Sequence, residues 1–149
     1  MKNIIMHYVT TKITKYLFVT TLLLICFSAC KDDDYIPEVM FNYYIDLNSV
    51  EYNSLKIPGN AEYLNVAGYR GVIIHCNYKD EYVAFERACP YHPEEEGAVV
   101  EIDEDGNATC PECGSQFSLY DGSILEGPAE MPLKWYNTDL QGNLLYVYN

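Results

Sequence analysis

The chain has 149 residues, 49% of them hydrophobic, with nine basic and 22 acidic side chains and a net charge of −13. That balance argues against nucleic-acid binding, because phosphate contacts need a basic face, and it disfavours docking on an anionic membrane surface. The length suffices for one domain with a single core, preceded by a short leader.

Lys2, Lys12 and Lys15 form a positive flank, and residues 16–29 are apolar apart from Thr20, Thr21 and Ser28. The run is short for a bilayer span and ends in small residues, so residues 1–29 are predicted to be a cleaved export signal. Phe27-Ser28-Ala29-Cys30 resembles a lipobox, in which Cys30 becomes the lipidated first residue; a plain secretory signal with an incidental cysteine is the alternative. Lys31-Asp32-Asp33-Asp34 resembles the acidic signal that sends some lipoproteins to the outer face of the outer membrane, although such a run also serves as a solvated tether. The expected location is the cell envelope, lipid-anchored, at the outer membrane and exposed at the surface. With Lys2, Lys12 and Lys15 removed, six basic residues face 22 acidic ones, a net charge of −16, which suits a basic partner or simple solubility. Residues 30–38 are then a lipid-anchored acidic linker extending at most about 3.3 Å per residue, and residues 39–149 form one domain.

That domain reads as nearly all β. Residues 39–47 alternate apolar and polar side chains, as a strand with one apolar face does. Pro58-Gly59-Asn60 is a turn, followed by strands over 63–66 and 71–76, a hairpin connection at 77–81 and a strand over 82–86. Further strands are expected over 98–102, before Cys110, over 116–120 and 123–125, and finally over 133–137 and 144–148 around Gln141-Gly142-Asn143. Many short strands joined by glycine-bearing turns predict an antiparallel β-sandwich or barrel.

Between these strands lie two loops, Cys89-Pro90-Tyr91-His92 and Cys110-Pro111-Glu112-Cys113-Gly114. Each offers two soft ligands separated by two residues, and two such knuckles brought together close a tetrahedral metal shell. Proline after each leading cysteine restricts φ, and Gly114 permits the turn out of the second loop. Downstream come Gly114, Ser115, Phe117, Asp121-Gly122, then Gly127-Pro128-Ala129 with Pro132-Leu133. From these residues the chain, over residues 39–149, resembles the Rieske iron-sulfur family, which has a C-x-H box, a C-x-x-H-G-S box and a G-P-A-x-x-P-L loop. It departs from the family in two places: His92 lies three positions after Cys89 where the family has two, and Cys113 stands where the family has its second histidine.

The resemblance implies a Rieske-like domain in which residues 39–87 and 129–149 form the base and residues 88–128 an inserted two-knuckle subdomain. It implies a variant 2Fe-2S centre for electron transfer, with Cys89 and Cys110 on one iron and His92 and Cys113 on the other. Ser115 would donate to a cluster sulfur, Phe117 has no hydroxyl where the family often has tyrosine, and Pro128 belongs to the proline loop over the site. A thiolate in place of a neutral imidazole adds negative charge, so the potential should fall below the usual Rieske range of about −150 to +300 mV. Two alternatives stay open. The same four residues suit a single structural zinc or iron. The site also reads as empty, with two cysteines joined as a disulfide: the leader holds no arginine, so export is expected as an unfolded chain, and the space beyond the inner membrane is oxidising. The chain is then a cluster-less module that binds a partner in the envelope.

Other residues carry weaker signals. His75 and Cys76 fall on a strand and read as packed side chains. Glu94, Glu95 and Glu96 read as a solvated acidic loop, with steering of a basic redox partner as the functional alternative. Asn107-Ala108-Thr109 matches a glycosylation sequon of little weight behind a bacterial-looking leader. No nucleophile, base and orienting group can be assembled, so the chain is expected to be at most a redox component, served by an unknown redox or envelope protein.

Overall fold

The computed structural model describes residues 36–149. The predicted export signal, Cys30 and the acidic tether up to residue 35 lie outside the described residues.

In chain order the strands are β1 (Asn42–Asp46), β2 (Ala61–Leu64), β3 (Val72–Tyr78), β4 (Glu81–Glu86), β5 (Glu101–Ile102), β6 (Ala108–Thr109), β7 (Gln116–Phe117), β8 (Ile124–Glu126), β9 (Trp135–Gln141) and β10 (Leu144–Tyr148). A six-stranded antiparallel sheet has the order β1-β10-β9-β4-β3-β2, and a four-stranded one the order β5-β6-β7-β8. The smaller sheet is inserted in the chain between β4 and β9. This is the all-β architecture, with an inserted knuckle subdomain, that the sequence predicts.

The hairpin of β3 and β4 holds the two parts together. On one face Val72, Ile74, Cys76, Tyr82 and Ala84 pack with Ile45, Leu55, Leu64, Leu145 and Val147. On the other, Ile73, Val83 and Phe85 pack with Cys89, Val100, Cys110, Phe117 and Leu133. Side chains alternate across a strand, so a hairpin buried on both sides needs nearly continuous apolar runs, which Val72–Cys76, interrupted only by His75, and Tyr82–Phe85 supply. His75 and Cys76 are structural, as expected: His75 Nδ1 lies 2.7 Å from Asn77 Oδ1, and the Cys76 thiol donates to the Tyr78 carbonyl at 3.1 Å.

Three local differences from expectation have physical causes. Residues 36–38, expected in the linker, pack on the domain: Ile36 is buried, and Glu38 is tied by an ion pair with Lys134 at 3.0 Å and a hydrogen bond from Asn149 at 2.6 Å. Strand β9 runs to Gln141 because its first half pairs with β4 and its second half with β10. The strands of the small sheet are shorter than predicted because their flanks serve the knuckles: Val99 bridges to Ala88, and Ser118 and Gly122 close a tight turn.

Glu86, the last residue of β4, is fully buried. Its Oε2 accepts from Tyr69 N–H at 2.6 Å and from the Tyr136 hydroxyl at 2.6 Å, and its Oε1 accepts from Arg70 N–H at 2.8 Å and Ala88 N–H at 2.9 Å. Burial, then the hydrogen bond to Glu86 and its negative charge, push the Tyr136 phenol well above its ordinary 10.0. The unfolded chain therefore ionises this tyrosine at a pH where the folded chain keeps it neutral. Its contribution to stability is complete below pH 10 and falls as pH rises above that value. Urea midpoints measured from neutral to alkaline pH should fall above about pH 10, and Tyr136→Phe should reduce that fall.

Candidate metal centre

The first knuckle leaves β4 directly after the Glu86 anchor. Cys89 N–H donates to Ala98 O at 2.8 Å, Ala98 N–H to Glu95 O at 3.1 Å and Glu95 N–H to His92 O at 3.2 Å, so the loop is closed by its own backbone. In the second knuckle Gly114 N–H donates to Cys110 O at 2.9 Å and Cys110 N–H to Ser115 O at 2.8 Å. Gly114 turns the chain out with φ of 74°, a left-handed conformation that favours glycine.

Cys89 and Cys110 are fully buried and Cys113 is half-buried. Their three sulfurs all lie within 4.8 Å of one another, and Cys89 Sγ is 3.6 Å from Cys113 Sγ. A tetrahedral ion with metal–sulfur bonds of about 2.3 Å holds its sulfurs roughly 3.8 Å apart, so the donor set suits a thiophilic metal. His92 is not brought into this group. It is exposed, with its ring 4.2 Å from that of Tyr91, and it lines a cavity of about 310 Å³ shared with Cys89, Cys113, Glu95, Glu112 and Pro128.

The Cys89 and Cys113 thiols differ in their surroundings. Burial pushes the Cys89 thiol well above its ordinary range. Burial acts the same way on Cys113, but hydrogen bonds from the Ser115 hydroxyl and backbone outweigh it and hold that thiol below its usual value. Ser115 is fully buried, and its Oγ accepts from Ala129 N–H at 3.1 Å and from the Cys113 thiol at 3.1 Å; once that thiol is ionised, the serine hydroxyl can turn its own proton to the sulfur. The proline loop thus fixes the serine that serves the cysteine. Phe117 is fully buried in the same cluster as Cys89 and Cys110, and Pro128 stands at the mouth of the cavity.

Gly127 makes that loop fit. Its φ is 104°, and an added Cβ would lie 2.8 Å from Ser115 Oγ and closer still to its Cα. Gly127→Ala is therefore expected to cost about 2 kcal/mol or more, from backbone strain and overlap together. A lowered urea midpoint with an unchanged slope would register it.

Sequence reasoning treated Glu95 as part of a solvated loop and did not single out Glu112. Both line the cavity beside Cys113, where a carboxylate oxygen can complete a metal shell. Glu112 lies inside the second knuckle, between Cys110 and Cys113, and that position was the available signal. Glu86 left none, because a glutamate closing a strand looks like any solvated end.

No family model matches the sequence, and no curated protein matches it. Among solved structures, the chain is similar to the cyanobacterial plasma membrane Rieske protein PetC3 from Synechocystis PCC 6803, at 27% identity over 53% of this chain and 77% of that one, with a TM-score of 0.46. It is also similar to a chain from the complex of reduced oxygenase and oxidized ferredoxin in carbazole 1,9a-dioxygenase, at 22% identity over 61% and 90%, with a TM-score of 0.45. A chain of a hyperthermophilic respiratory Complex III matches at 17% identity over 92% and 96%, with a TM-score of 0.49.

Proposed function

We propose that this chain is an exported, lipid-anchored electron carrier whose Rieske-like domain holds a thiolate-rich iron-sulfur centre of the 2Fe-2S type. One observation carries this reading: the proline loop, through Ala129 N–H, holds the buried Ser115 hydroxyl 3.1 Å from Cys113 Sγ, beside the Cys89 and Cys110 sulfurs. When bound, the centre supplies one-electron chemistry. The protein's own residues do the rest. Cys89, Cys110 and Cys113 would hold it, His92, exposed on the wall of the same cavity, would have to turn inward to complete the set, and Ser115 would stabilise negative charge on sulfur. Phe117 and the surrounding core keep water from the buried side. An electron would leave on the cavity side, where Glu95 and Glu112 favour a basic partner.

A second reading is a single zinc or iron in a structural role. The mutual approach of all three sulfurs within 4.8 Å favours it, because one ion meets them together. Iron, zinc and acid-labile sulfide on protein isolated from its own membrane separate the two. About two irons and two sulfides per chain, with visible absorption bleached by reductant, identify the cluster. One zinc and no sulfide identify the structural ion. Absence of all three would sink the electron carrier and leave a partner-binding module.

Anchoring is tested separately. Cys30→Ala should move the protein from the membrane to the soluble fraction, since stable retention depends on the acyl chains. Unchanged membrane association would overturn the lipoprotein assignment.

A further inference from the structure

We propose that Cys89 and Cys113 form a disulfide that competes with metal for the site, so that loading depends on thiol redox state. This deepens the metal assignment, and its consequence for loading rests on that assignment; the bridge itself does not. Their sulfurs are already in contact at 3.6 Å, and closing to a bond of about 2.05 Å requires a movement of roughly 1.5 Å. Cys76 is not a candidate, because it belongs to the other core cluster and donates to Tyr78 O.

Access selects the order of events. Among the three clustered thiols only Cys113 is half-buried, and it opens on the cavity lined by His92, Glu95, Glu112 and Pro128. A small disulfide such as oxidised glutathione therefore meets Cys113 first. The Cys113 sulfur attacks one glutathione sulfur, forms a mixed disulfide and releases the first glutathione thiol. The Cys89 sulfur then attacks Cys113 in that mixed disulfide, forms the internal bond and releases the second thiol. Two protein thiols are oxidised by two electrons, one glutathione disulfide is reduced to two thiols, and the two protons pass to those thiols.

Cys110 is the competing resolver, three residues from Cys113. Two features favour Cys89. Its sulfur already lies 3.6 Å from that of Cys113, and its bridge closes a loop between the two knuckles instead of one within a single knuckle. Cross-linking a longer loop restricts the unfolded chain more. The bridge removes two of the three thiolates from the ligand set and leaves Cys110 alone. In the oxidising envelope, beyond the inner membrane, this is the state toward which an unloaded site would move.

The test uses protein isolated from its own membrane, stripped of metal under reductant and divided. One portion is equilibrated with oxidised glutathione, the other kept reduced. Free thiols are blocked, and the chain is cut after glutamate, which separates Cys89, Cys110 and Cys113 because Glu94, Glu95, Glu96, Glu101, Glu104 and Glu112 lie between them. The expected result is a linked pair joining the Cys89 and Cys113 peptides, with Cys76 and Cys110 blocked. Zinc uptake by the oxidised portion should be at least about tenfold below that of the reduced portion and should recover on reduction. A bridge that includes Cys110, all four thiols still blocked after oxidation, or equal zinc uptake by a bridged protein would overturn the proposal. Failure of the metal assignment shows differently, as a reduced protein that takes up no zinc while the linked pair still forms; the bridge then stands alone. Cys110→Ser should leave the linked pair intact, and its loss in that variant would equally overturn the assignment of the pair.

Discussion

Glu86→Ala is expected to lower the unfolding free energy by about 3–5 kcal/mol, the range for breaking a buried charged network by removing one partner. Four donors converge on this carboxylate, three from the backbone at Tyr69, Arg70 and Ala88 and one from the Tyr136 hydroxyl. Truncation strands all four, of which the Ala88 and Tyr136 donors are buried, and adds a cavity. Each stranded group costs about 1–3 kcal/mol before relaxation. The loss is a large fraction of a domain stability of about 5–15 kcal/mol. Gly68 underlines how closely the surrounding loop fits, since an added Cβ there would lie 2.7 Å from Glu86 Oε2. The effect should also reach the knuckle, because Ala88 N–H is one of the four donors and Cys89 follows it. Urea unfolding measures the cost. Tyr136→Phe, which removes one donor and leaves the carboxylate three partners, should cost only about 1–2 kcal/mol. If Glu86→Ala cost no more than Tyr136→Phe, the view of Glu86 as the anchor between base and knuckle would fail.

Cys113→Ser is expected to reduce metal bound per chain by about 100-fold or more, through loss of a thiolate in contact with Cys89. Cys113 is the cysteine to replace, because its side chain is half-buried and its loss does not hollow the core, whereas Cys89 and Cys110 pack with Phe117. Circular dichroism should therefore remain that of the folded domain while metal is lost. His92→Ala then separates the two metal readings. Where His92 shares an iron with Cys113, its removal bleaches the visible absorption and releases sulfide. Where one ion sits among three thiolates, Glu95, Glu112 or water takes the fourth position, and binding weakens by only about tenfold. Metal retained at full stoichiometry in Cys113→Ser would exclude that sulfur from the ligand set under either reading.

Most of the architecture was legible along the chain. The two-residue turn at Gly142 and Asn143, the predominantly apolar runs of β3 and β4 and the turn out of the second knuckle at Gly114 each depend on residues within a few positions of one another. Strand ends were less legible. The small sheet was overdrawn because residues 98–100 and 118–120 look like strand continuations, yet their backbone groups are claimed by the first knuckle and by a tight turn. Strand β9 was drawn short because nothing in Asn137–Gln141 announces that it changes partner from β4 to β10.

The sequence by itself determined that this protein is an all-β domain with two metal-type knuckles, because alternation, turn chemistry and ligand spacing are local properties written in neighbouring residues. Only the tertiary structure decided which ligands meet. Cys89 and Cys113 lie 24 positions apart, and their 3.6 Å contact depends on how the base hairpin presents one knuckle to the other. His92, at equal spacing in its own loop, faces solvent instead. The same holds for Glu86: a carboxylate becomes an anchor only when the loop at residues 69–70, the start of the first knuckle at Ala88 and strand β9 at Tyr136 bring their donors to it, and that convergence is a property of packing that no window of sequence contains.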